Sequence, residues 1–179
     1  MNSRNIVYYV ACSLDGYICG PGGDISGFAA GGSGVDRYLA DISAYDTVIM
    51  GRRTYEFGYQ FGLEPGQPAY PHMQHYIFSG SLRFDRADAR VQVMPLTLGT
   101  IEQIQSEHGT DIYLCGGGQL AGWLLDHGKI DRLILKLNPL ILGGGVRLFG
   151  DSVSACKCRL LDAERFDEGL QILSYQMTY

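Results

Sequence analysis

"YLCGGGQLAGWLL", residues 113–125, sets three consecutive glycines between an apolar run of β type and a stretch that reads as a helix. Glycine loses more conformational freedom on ordering than any other residue, so three in a row at a strand end call for a physical reason. One is chemical: a helix N-terminus offers free N–H groups and the positive end of its dipole, and bare backbone lets a diphosphate come close. Read literally, Gly116, Gly118 and Ala121 satisfy GxGxxG/A. A Rossmann dinucleotide site, however, belongs in the first βαβ unit with an acidic residue about 20 positions on, whereas this motif is late and Asn138 stands in the corresponding region. Two readings stay open here, a phosphate cradle and glycines that only permit tight helix packing.

Outward from that stretch, "NIVYYVAC", "DTVIMG", "HYIFSG", "DIYLCG" and "DRLILKLN" are short apolar runs with little polar alternation. They predict strands buried on both faces, as in a largely parallel sheet flanked by helices. Helices are expected between them at "GVDRYLADISAY", with Val35, Leu39 and Ile42 on one face, and at "RRTYEFGYQ", "LGTIEQIQSEHG" and "GQLAGWLLDHG". The tail breaks the alternation: "CRLLDAERF" and "LQILSYQMTY" flank the turn signal "DEG", which predicts an antiparallel hairpin at the sheet edge. The expected fold is α/β with a mixed, mostly parallel sheet, in one domain over residues 1–179.

Composition narrows the function. The net charge of −5 gives no global attraction to nucleic acid or anionic membrane, so an anion must be held by a local device. Five cysteines without a CxxC pair fit thiols in a reducing compartment. The start "MNSRNIVYYVAC" is too short and polar for a signal peptide, and no apolar run reaches the ~20 residues of a membrane helix; the expectation is a soluble cytoplasmic protein.

Two further strand ends carry phosphate-compatible chemistry. In "DTVIMGRRTYE", Gly51 is followed by Arg52, Arg53 and Thr54 at a helix start. The dipole disfavours cations there, so the pair makes sense if guanidinium forks hold a phosphate; otherwise it is a solvated basic pair. In "HYIFSGSLRF" the strand ends in Ser79, Gly80 and Ser81, suited to phosphate or ribose hydroxyls, or to a turn. In a parallel sheet these ends share one edge, where ligands bind. At the N-terminus "VACSLDGYICGPGGD" enters a glycine-rich loop long enough to act as a lid or binding loop.

In order and spacing, "SLDGYI" (13–18), "VIMGRRTYE" (48–56), "IFSGSL" (77–82), "LCGGGQL" (114–120) and "PLILGGGVRLF" (139–149) resemble the dihydrofolate reductase-like superfamily. Within it, the chain is most similar to the branch holding the reductase domain of riboflavin-biosynthesis deaminase-reductases. The resemblance implies a three-layer α/β/α sandwich and NADPH as cofactor. By matching position, Ala11 and Ile18 would meet the nicotinamide through their backbones. Gly51, Arg52, Arg53, Thr54, Ser79 and Gly80 would hold the adenosine phosphate end, and Gly116, Gly117, Gly118, Gln119 and Leu120 the diphosphate. The glycines of "PLILGGGVRLF" receive no chemical role from it.

Hydride transfer to a C=N bond leaves negative charge on nitrogen, so a proton donor is expected. Asp36 lies within one residue of where the resemblance implies an acid, though a helix-start Asp also serves as a cap. Lys136 interrupts the apolar "LILKLN", either to bind a substrate phosphate or carboxylate or to emerge into water. Tyr38 and Tyr55 are candidates to wall a flat heterocycle, against ordinary core duty. "HMQH" (His72, His75) lacks further ligands and reads as a surface feature, so no metal is expected; Cys156 and Cys158 share a strand face without further support for a redox role. The leading expectation is an NADPH-dependent reductase of a small pyrimidine- or pterin-like heterocycle. The alternative is a non-catalytic nucleotide-binding or sensor protein on the same fold. Relatives in this branch are often homodimers, and the aromatic C-terminal hairpin is a candidate interface.

Overall fold

The computed structural model describes residues 3–179. Its main sheet has eight strands, β1 (Ile6–Cys12), β3 (Thr47–Gly51), β4 (Gln74–Phe78), β5 (Val91–Met94), β6 (Ile112–Gly116), β7 (Arg132–Leu137), β9 (Lys157–Arg165) and β10 (Gln171–Thr178), while β2 (Tyr17–Cys19) and β8 (Val146–Arg147) form a separate antiparallel pair. Four helices complete it: α1 (Ser33–Ile42), α2 (Arg52–Phe57), α3 (Leu98–Ser106) and α4 (Gly118–Asp126). The sheet order is β5-β4-β3-β6-β1-β7-β10-β9. The first six in that order are parallel, and the β9–β10 hairpin joins the β7 edge antiparallel, as the tail pattern predicts.

Each central strand alternates between two buried cores, which is why its sequence is apolar throughout. Tyr8, Ile49 and Leu114 face Ile101 of α3 and Leu124 of α4. Val7, Tyr9, Val48, Met50 and Tyr113 face the opposite way, toward Ile42 of α1 and Tyr55 of α2. The result is the expected α/β/α sandwich. The apolar face of α1 differs from expectation: Leu39 is 53% exposed. The line turned inward is Gly34, the half-buried Tyr38 and Ile42, spaced by four, because Gly34 presses against the Leu170 side chain and lets the helix sit close to the hairpin. His75 is also not a surface feature. It is buried on β4, its Nε2 accepts the Tyr70 N–H and its Nδ1 lies 3.0 Å from the Met73 carbonyl, and burial pushes its pKa down to about 4, so the ring is a neutral brace. The short strands β2, β5 and β8 carry no distinct sequence pattern and were not expected.

Several glycines serve close packing against this chain's own backbone. A Cβ on Gly118 would lie 2.2 Å from the Arg147 carbonyl oxygen, and one on Gly122 would lie 2.3 Å from that of Phe149. Loop 146–152 is thus laid directly on α4. Gly122→Ala is expected to destabilise the fold by about 1–3 kcal/mol through overpacking, whereas Gly80→Ala, with nothing within 4 Å, should stay within about 0.5 kcal/mol of wild type. Urea denaturation of both variants checks the contrast.

Candidate functional site

The C-terminal ends of the parallel strands form one edge. β6 lies between β3 and β1, with Met50 opposite Gly116 and Tyr8 opposite Leu114, so Gly51, Gly116–Gly117 and Ala11 come side by side. Ser79 and Gly80 follow β4 on the far side of β3, and Lys136 pairs with Ala11 on the near side. The strands are buried along most of their length, yet Val10, Ala11, Gly51 and Cys115 at this edge are only partly covered. That is a crevice at the carboxyl ends of an open α/β sheet, where this architecture binds ligands.

The first loop is held by one carboxylate. Asp15 accepts hydrogen bonds from Ser13 Oγ (2.6 Å), Leu142 N (3.1 Å) and Gly143 N (2.7 Å). The Ser13 hydroxyl foremost, with the Leu142 and Gly143 amides, holds its pKa down to about 2. Gly145, at φ +124°, allows β8 to close on β2, since a Cβ there would collide with the Cys19 carbonyl oxygen. The glycines of "PLILGGGVRLF" therefore dock the "SLDGYI" turn and place Ile18 on β2, half-buried beside the crevice.

The diphosphate candidates divide. Gly116 (φ +130°) and Gly117 lie against Thr54 Oγ1, which a Cβ on Gly117 would approach to 3.0 Å. Gly118 is consumed by packing on Arg147, Gln119 turns outward to Asp151 Oδ2 (2.6 Å), and Leu120 is buried in the core. Arg52 is half-exposed, bonded to Glu56 Oε1 (2.8 Å) and Ser81 Oγ (3.0 Å). Arg53 is exposed with no hydrogen-bond or ion-pair partner among the described residues. Ser79 Oγ accepts from the Ser81 and Leu82 amides, keeping its own proton free to donate. Beside it opens a cavity of about 360 Å³ walled by Leu82, Phe84, Val93, Met94 and Pro95.

Of the substrate-side candidates, the structure unites two. Lys136 is 7% exposed with its Nζ 5.0 Å from the Tyr38 ring centroid. Tyr38 OH is 2.7 Å from Tyr113 OH, and Tyr70 OH is 3.6 Å from Cys115 Sγ, a cluster of phenols and a thiol that sequence reading missed because its members lie far apart in the chain. Tyr55 is not part of it: 1% exposed, bonded to the Gln67 carbonyl and packed edge-on against Tyr59 and Phe84, it is core. Asp36 is exposed and, at 100° per residue, lies on the side of α1 opposite Gly34, Tyr38 and Ile42. Asn138 is no ribose ligand; its Oδ1 accepts the Ala29 N–H and its Nδ2 donates to the Lys136 carbonyl, fastening loop 20–32 to β7. Among the described residues no group of three or more His, Cys, Asp or Glu side chains could hold a metal ion, and no helix is long and apolar enough to cross a membrane.

Residues 4–172 match the RibD C-terminal domain family, and the chain belongs to it. It is 28% identical over 172 residues to the uncharacterized Bacillus subtilis protein YwjB, covering 94% of this chain and 96% of that one. Its fold matches a protein named for riboflavin biosynthesis from Shewanella sp. PV-4 at a TM-score of 0.80 (23% identity; 98% and 99% of the two chains). It also matches a diaminohydroxyphosphoribosylaminopyrimidine deaminase/5-amino-6-(5-phosphoribosylamino)uracil reductase from Thermotoga maritima at 0.68 (16% identity), there covering 98% of this chain and 57% of the longer one. The fold is dihydrofolate reductase-like.

The clasp at Asp15 titrates with a definite sign. A carboxyl whose pKa is lowered on folding stabilises the native state fully above its unfolded value near ~3.9 and loses that contribution as the pH falls. The gap in urea midpoint between wild type and Asp15→Asn should be constant at neutral pH and narrow as the pH drops through about 4 toward 2. A gap that does not narrow contradicts the role of the carboxylate.

Proposed function

We propose that this protein is an NADPH-dependent reductase that transfers a hydride to a small pyrimidine- or pterin-like nitrogen heterocycle. The observation that carries the reading is the half-covered crevice where Ala11, Gly51 and Gly116–Gly117 meet at the strand ends. The chain's residues fit the cofactor. Gly51 and Gly80 leave room at the backbone, Gly116 adopts a conformation that excludes side chains, Arg53 is an unengaged guanidinium among the described residues, and the cavity beside Ser79, with Leu82, Phe84 and Val93 in its wall, suits an adenine ring. Bound there, NADPH would supply the hydride. The protein's part is to hold the two reactants in line and to keep water from the nicotinamide.

Each residue has a task in this reading. Arg53, with the free side of Arg52, pairs the adenosine phosphate that distinguishes NADPH from NADH. Thr54 and the Gly116–Gly117 backbone receive the diphosphate. Ala11 and Ile18 present backbone to the nicotinamide, and Tyr38 with Lys136 faces the substrate.

Fluorescence titration with NADPH and NADH tests this. NADPH should bind about 10- to 100-fold more tightly, the worth of one charge-assisted hydrogen-bond pair. Arg52→Ala/Arg53→Ala should abolish that preference and flatten the salt dependence. Gly51→Ala is the companion. A Cβ there meets nothing closer than 3.8 Å in the free protein, so stability should hold while NADPH affinity falls. Turnover is followed by NADPH oxidation with 5-amino-6-(5-phosphoribosylamino)uracil and with dihydrofolate. Equal binding of the two nicotinamides refutes the assignment of the arginines, and absence of NADPH binding refutes the function.

A further inference from the structure

Lys136 is an anomaly in this chain. There are three lysines and eleven arginines, and Lys129 and Lys157 lie at the surface or in an ion pair. Lys136 stands on β7 between Ala11 of β1 and Ile172 of β10, 7% exposed, with no hydrogen-bond acceptor and no anion at its Nζ among the described residues. The only side-chain nitrogens that are both dry and unpaired among those residues are Gln74 Nε2 and Arg132 Nε. Lys136 Nζ, unpaired but not dry, therefore keeps some contact with solvent, and Lys136 pairs in register with Ala11, which is half-covered at the crevice.

No carboxylate lies within ion-pair distance of the Lys136 Nζ among the described residues. From α1 comes the Tyr38 ring, with Tyr9 of β1 edge-on to it at 5.0 Å. Tyr113 and Cys115 of β6, with Tyr70, lie behind Tyr38, and burial pushes the Tyr38 phenol up to about 12 and raises the Tyr113 and Cys115 groups as well, so all stay neutral. On β9, Glu164 shares the face but is bonded to Arg37, as is Asp41 of α1, which also accepts the Tyr9 hydroxyl. Arg4 makes the comparison. It is equally buried at 7%, yet it is paired to Asp46 at 2.6 Å. A buried amine without a partner is costly, and burial alone drives the Lys136 pKa down.

We propose that Lys136 is the proton donor of the reduction and the anchor for the heteroatom of the substrate's polarised C=N or C=O bond, the part that sequence reading gave to Asp36. The inference rests on the reductase reading above. As hydride reaches the electrophilic carbon, the π electron pair moves to the nitrogen or oxygen, and the Lys136 ammonium gives that atom a proton. The substrate is reduced by one hydride and one proton, NADPH is oxidised to NADP⁺, and Lys136, left a neutral amine, takes up one proton from the buffered solvent, so that each turnover consumes one solvent proton. A lysine suits this because its pKa is movable; an arginine at the same place would hold its proton throughout the reaction.

Three lysines make the test tractable. With [13C]lysine labelling, the ε-methylene signal lost in Lys136→Met should titrate below those of Lys129 and Lys157 and should shift when NADPH is added. With 5-amino-6-(5-phosphoribosylamino)uracil as substrate, Lys136→Met should lower kcat at least about 100-fold with the NADPH Kd within about twofold. Lys136→Arg should not rescue it, and Asp36→Asn should stay near wild type. The wild-type rate should fall as the pH rises through the Lys136 pKa, a limb missing from the variant. Removing an unpaired buried charge should raise the thermal midpoint of Lys136→Met, so lost turnover would not reflect unfolding. Failure of the wild type to bind NADPH overturns the reductase reading and this proposal with it. If NADPH binds, the proposal alone falls when Lys136 titrates with the other lysines, when its signal ignores NADPH, when Lys136→Arg restores the rate, or when Lys136→Met turns over like wild type.

Discussion

The insertion of β6 between β1 and β3 governs everything at the candidate site. The chain lays down β1, passes over one strand position to β3, runs outward through β4 and β5, and only then returns to fill the gap. Parallel pairing on both sides of β6 aligns Met50 with Gly116 and Tyr8 with Leu114. Without that register Gly51, Gly116 and Ala11 would be remote in space as they are in sequence. A crevice at the switch of strand order follows from the topology.

The glycines around that crevice do two kinds of work, and the distinction is geometric. Gly118, Gly122 and Gly145 are bare because this chain's own carbonyl oxygens press on them, at 2.2 Å, 2.3 Å and closer still from where a Cβ would stand. Gly51 and Gly80 have no such neighbour: a Cβ on Gly80 would meet nothing within 4 Å, and one on Gly51 nothing closer than the Gly117 amide nitrogen at 3.8 Å. Within "CGGGQ" the tight-packing reading holds for Gly118, while Gly116 and Gly117 lie at the crevice, where the proposed phosphate cradle would be. The same packing explains "LGGG": Gly143 donates to Asp15, and Gly145 lets β8 reach β2.

Sequence patterns disclosed the sheet, the helices and the hairpin because burial on both faces and helical periodicity leave marks within ten residues. They did not disclose β2 or β8, whose two or three residues are defined only by each other. The α1 face was misread because Leu39 looks like a core residue, while Gly34, which has no side chain to reveal it, fixes the helix contact. Strand-end glycines and arginines were legible, since they sit beside their strands. The Tyr38–Tyr113 and Tyr70–Cys115 contacts were not, because they join residues 75 and 45 positions apart.

The two edges of the sheet are built to different rules. At the N-terminal edge Arg4 ties to Asp46 and the Thr110 carbonyl, Asp46 accepts the Thr110 amide, and Asp131 accepts the Ile6 amide. These partners each precede another strand, and charge-assisted bonds of this kind are each worth about 1.5–3 kcal/mol; Gln74 Nε2 and Arg132 Nε at the same edge have no partner among the described residues. At the C-terminal edge the strands shed their cover, Arg53 has no partner among the described residues, and a buried lysine lies over the Tyr38 ring without an ion-pair partner among those residues. Arg4 is a buried cation met by a carboxylate, whereas Lys136 has none within ion-pair distance among the described residues. Stability alone would favour a methionine at position 136, and in the role proposed for Lys136 the partner of that charge arrives with the substrate.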